Sequence, residues 1–193
     1  KIIRFKMGIF KKKIIKKVSE LKKIAFIDNK LKIIDKVTIN SKNKSQIKIG
    51  KNVTVVSPKL FAFNLGKIKI GKYSYIGKNS QIDACVEVKI GNYCMISNNV
   101  LIQDHNSHPI KKMQRRRQLI NLQKKPTNVY ESDKKKVIIG DDVWICTDST
   151  ILKGVTIGNG SIIAASAVVT KNVPSNCIVA GNPAKIVKKI KQR

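Results

Sequence analysis

Residues 137–173 read VIIGDDVWICTDSTILKGVTIGNGSIIAASAVVTKNV, and their spacing decides the fold. Counted in sixes from Ile139, the aliphatics Ile139, Ile145, Ile151, Ile157, Ile163 and Val169 follow without a slip. A second position travels with the first. Four residues after each aliphatic stand Val143, Ser149, Val155, Ser161, Ala167 and Val173, all small or β-branched. A period of six fits neither the 3.6-residue helix nor plain strand alternation. It fits a short strand and a turn, repeated, with the aliphatic inward on each strand and a small group at each corner.

The same spacing extends upstream. It recurs at Ile70, Ile76 and Ile82, and after two extra residues at Ile90, Ile96 and Ile102, while Ile49 begins a poorer copy. The small positions there are Val53, Ser74, Ser80, Val86, Cys94 and Val100. Lys59 falls at such a position, so the earliest coil is expected to be irregular. Glycine directly follows the aliphatic at Gly50, Gly71, Gly77, Gly91, Gly140 and Gly158, where the turn is crowded. Three sixes make one triangular coil. Stacked coils bury a continuous column of Ile and Val, at about 0.8 kcal/mol per buried methylene, and each coil touches only its neighbours.

Composition narrows the function classes. Of the 193 residues, 35 are Lys and 5 Arg against 11 acidic, giving +29. Dedicated nucleic-acid surfaces rely on Arg and stacking aromatics. Here aromatics are 5% and the lysines run the whole length, so a specific nucleic-acid partner is not expected and solvated lysines are. Cys85, Cys94, Cys146 and Cys177 form no CxxC pair and no zinc spacing. With no secretory signal pattern and no apolar run long enough to span a bilayer, reduced thiols in the cytoplasm are expected.

Three parts emerge. Residues 1–36 are basic, and Ile14, Ile15, Val18, Leu21 and Ile24 fall near helical spacing. This amphipathic helix either lies on the inner face of the membrane as a peripheral contact or caps the coil. Residues 37–173 form the coil. Residues 174–193 leave it, with a short helix expected from Pro183.

The register breaks once, between Ile102 and Ile139, and the excursion spans residues 103–138. Long excursions from compact folds tend to be functional. Both histidines of the chain, His105 and His108, stand at its base beside Asp104. A neutral imidazole can take the proton of a hydroxyl as it attacks a thioester, and a carboxylate such as Asp104 can fix its tautomer. A metal held by Asp104, His105 and His108 lacks further ligands, so none is expected.

These motifs resemble the hexapeptide-repeat acyltransferases, whose coil is a left-handed parallel β-helix. That hand is implied by the resemblance. The expected fold is all-β, a left-handed parallel β-helix with a short N-terminal helix, one long excursion loop and a short C-terminal helix. The run His108-Pro109-Ile110, and the Asp104-His105 and His108 pattern, resemble the maltose/galactoside and capsule or lipopolysaccharide sugar O-acetyltransferases. The resemblance favours His108 over His105 as the base. The block Val137 to Ile190, with its VVTK-x-VP corner and GNPAK tail, resembles the family's closing coils, which hold acetyl-coenzyme A between neighbouring subunits. By position, Thr147 and Ala165 would meet the pantetheine arm. Thr170, Lys171, Lys185 and Lys188 would lie near the phosphates. Asn79, Asp83 and the outward-facing Trp144 would face the acceptor. The resemblance thus implies a homotrimeric, acetyl-coenzyme A-dependent O-acetyltransferase acting on a sugar or glycan. Two alternatives stay open: N-acylation of an amino sugar or antibiotic, and a non-enzymatic basic solenoid binding nucleic acid or anionic lipid.

Overall fold

The computed structural model describes residues 25–28, 30–35, 37–41, 46–122 and 132–191. Six coils follow one another, each contributing three short strands. The first holds β1 (Phe26–Ile27), β2 (Lys32–Ile33) and β3 (Thr38–Ser41). The second holds β4 (Ile47–Ile49), β5 (Thr54–Val55) and β6 (Lys59–Ala62). The third holds β7 (Lys67–Ile70), β8 (Tyr75–Ile76) and β9 (Gln81–Ala84), and the fourth β10 (Glu87–Ile90), β11 (Met95–Ile96) and β12 (Leu101–Gln103). A helix, α1 (Lys112–Leu122), lies in the excursion. The fifth coil has β13 (Val137–Ile139), β14 (Trp144–Ile145) and β15 (Thr150–Ile151), and the sixth β16 (Thr156–Ile157), β17 (Ile162–Ile163) and β18 (Val168–Val169). Two final strands are β19 (Cys177–Ala180) and β20 (Lys185–Lys189).

Strands three apart in number, one from each successive coil, stack as β1-β4-β7-β10-β13-β16 and so on into three parallel faces. The face starting with β1 is called A, that with β2 B, and that with β3 C. This architecture fits a left-handed parallel β-helix. The six-residue aliphatics stand in register: Ile49, Ile70, Ile90, Ile139 and Ile157 on face A. Face B aligns Val55, Ile76, Ile96, Ile145 and Ile163, and face C aligns Leu60, Ile82, Ile102, Ile151 and Val169. All of these are buried.

The corners explain the second repeat position. The residue just before it takes a left-handed backbone, for example Asn79 (φ 60), Asn99 (φ 57) and Asp148 (φ 59), a conformation Asn and Asp tolerate. Inward serines then tie coils together. Ser80 Oγ donates to Ser97 O (2.7 Å) and accepts the N–H of Val100 (3.2 Å). The glycines after the aliphatics serve close approach. A Cβ on Gly91 would lie 2.4 Å from Gly140 O in the next coil.

Five expectations need correction or extension. Strands β1 and β2 already pair with the second coil, so the coil starts before the boundary drawn after residue 36. Val86 is 41% exposed, because the two extra residues widen that corner and turn its side chain outward. In the second coil the buried corner residue is Pro58 and Lys59 is exposed, since Ser57 takes the left-handed turn one residue early. Residues 185–189 form a strand, not a helix. β20 pairs antiparallel with β19 and covers the free edge of face B, and the β-branched Ile186 and Val187 suit that pairing. The excursion contains α1, which the polar sequence did not announce. The expected N-terminal helix lies outside the described residues. Among the described residues no helix is long and apolar enough to cross a membrane.

Candidate active site

The excursion leaves face C after β12 and returns to face A at β13. Its two stems run side by side. Asn106 N–H donates to Asp133 O (3.0 Å) and Lys135 N–H to Asp104 O (2.8 Å), with His105 bridged antiparallel to Lys134.

Asp104 is fully buried, and its carboxylate does not serve a histidine as expected. Oδ1 accepts the N–H of Cys85 and Oδ2 that of Val86, both at 2.7 Å. The wide corner of the third coil leaves those two amides without a ladder partner, and Asp104 supplies it.

His105 is 2% exposed and sits edge-on to Phe63, ring centroids 5.9 Å apart. Its Nδ1 accepts the N–H of Ser107 (2.9 Å), while Nε2 is buried without a partner. Burial holds its ring below the ordinary imidazole range. His108, by contrast, is exposed, and its Nδ1 lies 3.0 Å from Oε1 of Gln118 on α1. Arg115, also on α1, donates to the carbonyls of Pro109 (3.0 Å) and Ile110. Gln118 and Arg115 were not singled out in the sequence. Arg115 could have been noticed, since three of the chain's five arginines stand together at 115–117.

A cysteine does lie beside His105 and Asp104. Ligand atoms of Cys85, Asp104 and His105 fall within 4.8 Å of one another. Burial, with Asp104 adjacent, pushes the Cys85 thiol up to about 11, so it stays protonated. Cys94, likewise pushed up to about 11 by burial, fills an inward slot as expected of a core residue.

The remaining candidates lie on face C, at its two edges and on the neighbouring face B. Thr147 and Ala165 occupy the corner between faces B and C, one coil apart and exposed, and Ser166 N–H donates to Thr147 O (3.0 Å). Lys185 pairs with Ala180 near that corner, and Lys188 with Ile178. Thr170 and Lys171 sit at the opposite corner, between faces C and A, where the excursion also emerges. Trp144 faces outward as expected, 45% exposed, with Nε1 donating to Ser97 Oγ (3.3 Å). Asn79 is an exposed corner residue, and its left-handed backbone accounts for an Asn there. Asp83 is buried on face C. Its Oδ2 accepts from Gln81 (2.7 Å) and its Oδ1 has no partner.

A triangular coil interrupted by a single histidine-bearing excursion defines a hexapeptide-repeat acyltransferase. Comparison with known proteins agrees. Residues 136–171 match the family described as bacterial transferase hexapeptide (six repeats), and residues 67–103 the hexapeptide repeat of succinyl-transferase. The chain is 32% identical over 149 residues to WbbJ of Escherichia coli K12, by name a lipopolysaccharide biosynthesis O-acetyl transferase, covering 77% of this chain and 74% of that one. It is 32% identical to the galactoside O-acetyltransferase of the same organism, over 75% of this chain and 64% of that protein. The solved structure of the polySia-specific acetyltransferase NeuO superposes with a TM-score of 0.71 at 32% identity, covering 88% of this chain and 68% of that one. The chain belongs to the hexapeptide-repeat acyltransferase family.

Proposed function

We propose that this acyltransferase carries the acetyl group of acetyl-coenzyme A to a sugar hydroxyl in the assembly of a surface polysaccharide or lipopolysaccharide. The observation that carries the reading is His108, an exposed imidazole at the one break in the coil, with one ring nitrogen engaged and the other edge open. The names of the relatives support a sugar acceptor.

In this reading the acceptor O–H gives its proton to His108 Nε2 as its oxygen attacks the thioester carbonyl. A backbone N–H of the coil steadies the tetrahedral oxyanion. The C–S bond then breaks, and the imidazolium returns the proton to the departing thiolate. Acetyl ester and free coenzyme A leave. The raised thiols of Cys85 and Cys94 favour this direct transfer over an acyl-cysteine. Thr147 and Ala165 would meet the pantetheine arm, and Thr170, Lys171, Lys185 and Lys188 the phosphates. Asn79, Asp83 and Trp144 would face the acceptor.

A homotrimer completes the site. Within one chain the Thr147–Ala165 corner and the excursion flank opposite edges of face C, so a cleft uniting them needs a second copy. The outward column Tyr75, Met95, Trp144 and Ile162 on face B offers apolar surface for that copy. The reaction is placed in the cytoplasm, with contact at the inner membrane face assigned to the N-terminal segment.

The test is thiol release from acetyl-coenzyme A with methyl galactoside, methyl glucoside and glucosamine as acceptors, run on the parent, His108→Ala and His105→Ala. Loss of about 10²–10⁴-fold in the His108 variant is expected. Unchanged turnover in both variants overturns the catalytic assignment. Acetylation confined to glucosamine replaces O-transfer with N-transfer.

A further inference from the structure

We infer that α1 is a clamp that fixes which nitrogen of His108 carries the hydrogen, with Gln118 the positioning residue and Arg115 its anchor. The inference rests on the reading of His108 as the base.

Gln118 Oε1 lies 3.0 Å from His108 Nδ1. A carbonyl oxygen only accepts, so the hydrogen sits on Nδ1 and Nε2 keeps its lone pair. That is the form a base acting through Nε2 requires, whereas a free imidazole in water favours the hydrogen on Nε2. His105 is held in the opposite form. Its Nδ1 accepts the Ser107 N–H, which leaves the hydrogen on Nε2. This pairing assigns the two histidines opposite tautomers, and only His108, the exposed ring, keeps an unengaged lone pair.

The burial pattern of the helix points the same way. Residues 112–117, Leu119 and Ile120 are exposed, and Gln118 is 7% exposed. A helix that buries no apolar stripe is not docked by the hydrophobic effect. Polar contacts to the histidine turn hold it instead. Arg115 and Gln118 are three apart, hence on one helix face. Together they grip three consecutive residues: Gln118 takes the His108 ring, and Arg115 the carbonyls of Pro109 and Ile110. Lysine is this chain's default cation, by 35 to 5. An arginine at this place is chemically apt, because one guanidinium can reach two adjacent carbonyls and an ammonium on its flexible stem fixes neither. The neutral amide also matters. A carboxylate at 118 would stabilise the imidazolium and resist return of the proton to the leaving thiolate, while the amide orients the ring without trapping the charge.

The experiment is two-bond 1H–15N correlation of the imidazole rings in the intact protein at about pH 8, above the ordinary imidazole range. Two histidines give two ring systems, assigned with His105→Gln and His108→Gln. The native protein is expected to show hydrogen on Nδ1 for His108 and on Nε2 for His105. Gln118→Leu should shift His108 toward the Nε2–H form and leave His105 as it was, the latter showing that the stem of the excursion is intact. Gln118→Glu should retain the Nδ1–H form, and Arg115→Lys should weaken the preference. Hydrogen on Nε2 of His108 in the native protein, or a tautomer that Gln118→Leu leaves unchanged, overturns the clamp. This readout needs no acceptor and no turnover, so it is separable from the base assignment. A tautomer that switches while His108→Ala retains full turnover removes the base and leaves the clamp. A lost turnover with an unmoved tautomer does the reverse.

Discussion

The carboxylate of Asp104 accepts the backbone N–H of Cys85 at 2.7 Å, and its second oxygen that of Val86. A fully buried side chain of the fourth coil thus completes the backbone of the third, at the corner where the six-residue register gains two residues. Asp104→Asn keeps one acceptor but turns an amide N–H₂ toward a backbone donor. Leaving a buried donor unmatched costs about 1–3 kcal/mol. The variant should unfold at a lower temperature, read by thermal melting. A melt identical to the parent's would show that the two amides find other partners.

The two histidines should separate stability from activity. His105 is buried against Phe63, and His105→Ala removes that packing and the acceptor of Ser107 N–H. A cost of about 2 kcal/mol is expected. His108 is exposed, and its replacement by Ala should change stability by no more than about 0.5 kcal/mol. Denaturant titration of the two variants checks the order. A His108 variant less stable than the His105 variant would contradict it.

Glycine substitutions should be graded by what the new Cβ meets. At Gly91 it would stand 2.4 Å from Gly140 O, a backbone atom held by the next coil. At Gly50 the nearest atom is Lys72 N at 3.0 Å. Neither glycine has a positive φ, so steric contact is the difference being tested. Gly91→Ala should cost about 3 kcal/mol and Gly50→Ala about 1 kcal/mol or less, by analogy with overpacked cores. Equal melting temperatures would mean that the coils can slide apart at face A.

Much of this fold was legible because each coil repeats one local decision. Ile145 is inward on face B for the same reason as Ile163, and a single slip would turn both outward. Where two forces compete, the sequence misleads. Pro183 is a good first residue for a helix, yet Lys185–Lys189 meets the unpaired edge of β19, and filling that edge wins. Asp104 lies next to His105 in sequence and both are buried, but two backbone N–H groups at the wide corner, invisible in the sequence, claim the carboxylate before the imidazole can. The helix α1 left no apolar stripe to read, since what holds it is a pair of polar contacts to residues that precede it.

Asp83 gives the pH prediction. Its Oδ1 is buried without a partner, and its carboxyl is pushed up to about 6, chiefly by burial and further by Asp104, against the bond from Gln81 and the charge of Lys59. A carboxyl raised in the fold favours the neutral form there. Its contribution to stability is therefore present below the ordinary carboxyl range and is lost as pH rises from about 4 through about 6. That rise corresponds to at most roughly 3 kcal/mol. His105 works in the other direction. Burial lowers its ring, so its contribution is present above the ordinary imidazole value of 6.5 and is lost as pH falls below it. Asp83→Asn removes the first effect alone, and the amide oxygen can still accept from Gln81. Relative to the parent, this variant should gain stability steadily between pH 4 and pH 7, seen as melting temperatures that diverge toward neutral pH. Retention of an ionised, half-satisfied carboxylate at neutral pH is then a cost the fold bears, and in the proposed reading an acceptor hydroxyl that displaces the cover over Oδ1 would relieve it by donating to that oxygen. Thiol release should accordingly fall in the more stable variant. Parallel melting curves across that pH range would show that Asp83 is already solvated, and an unchanged turnover would remove it from the acceptor site.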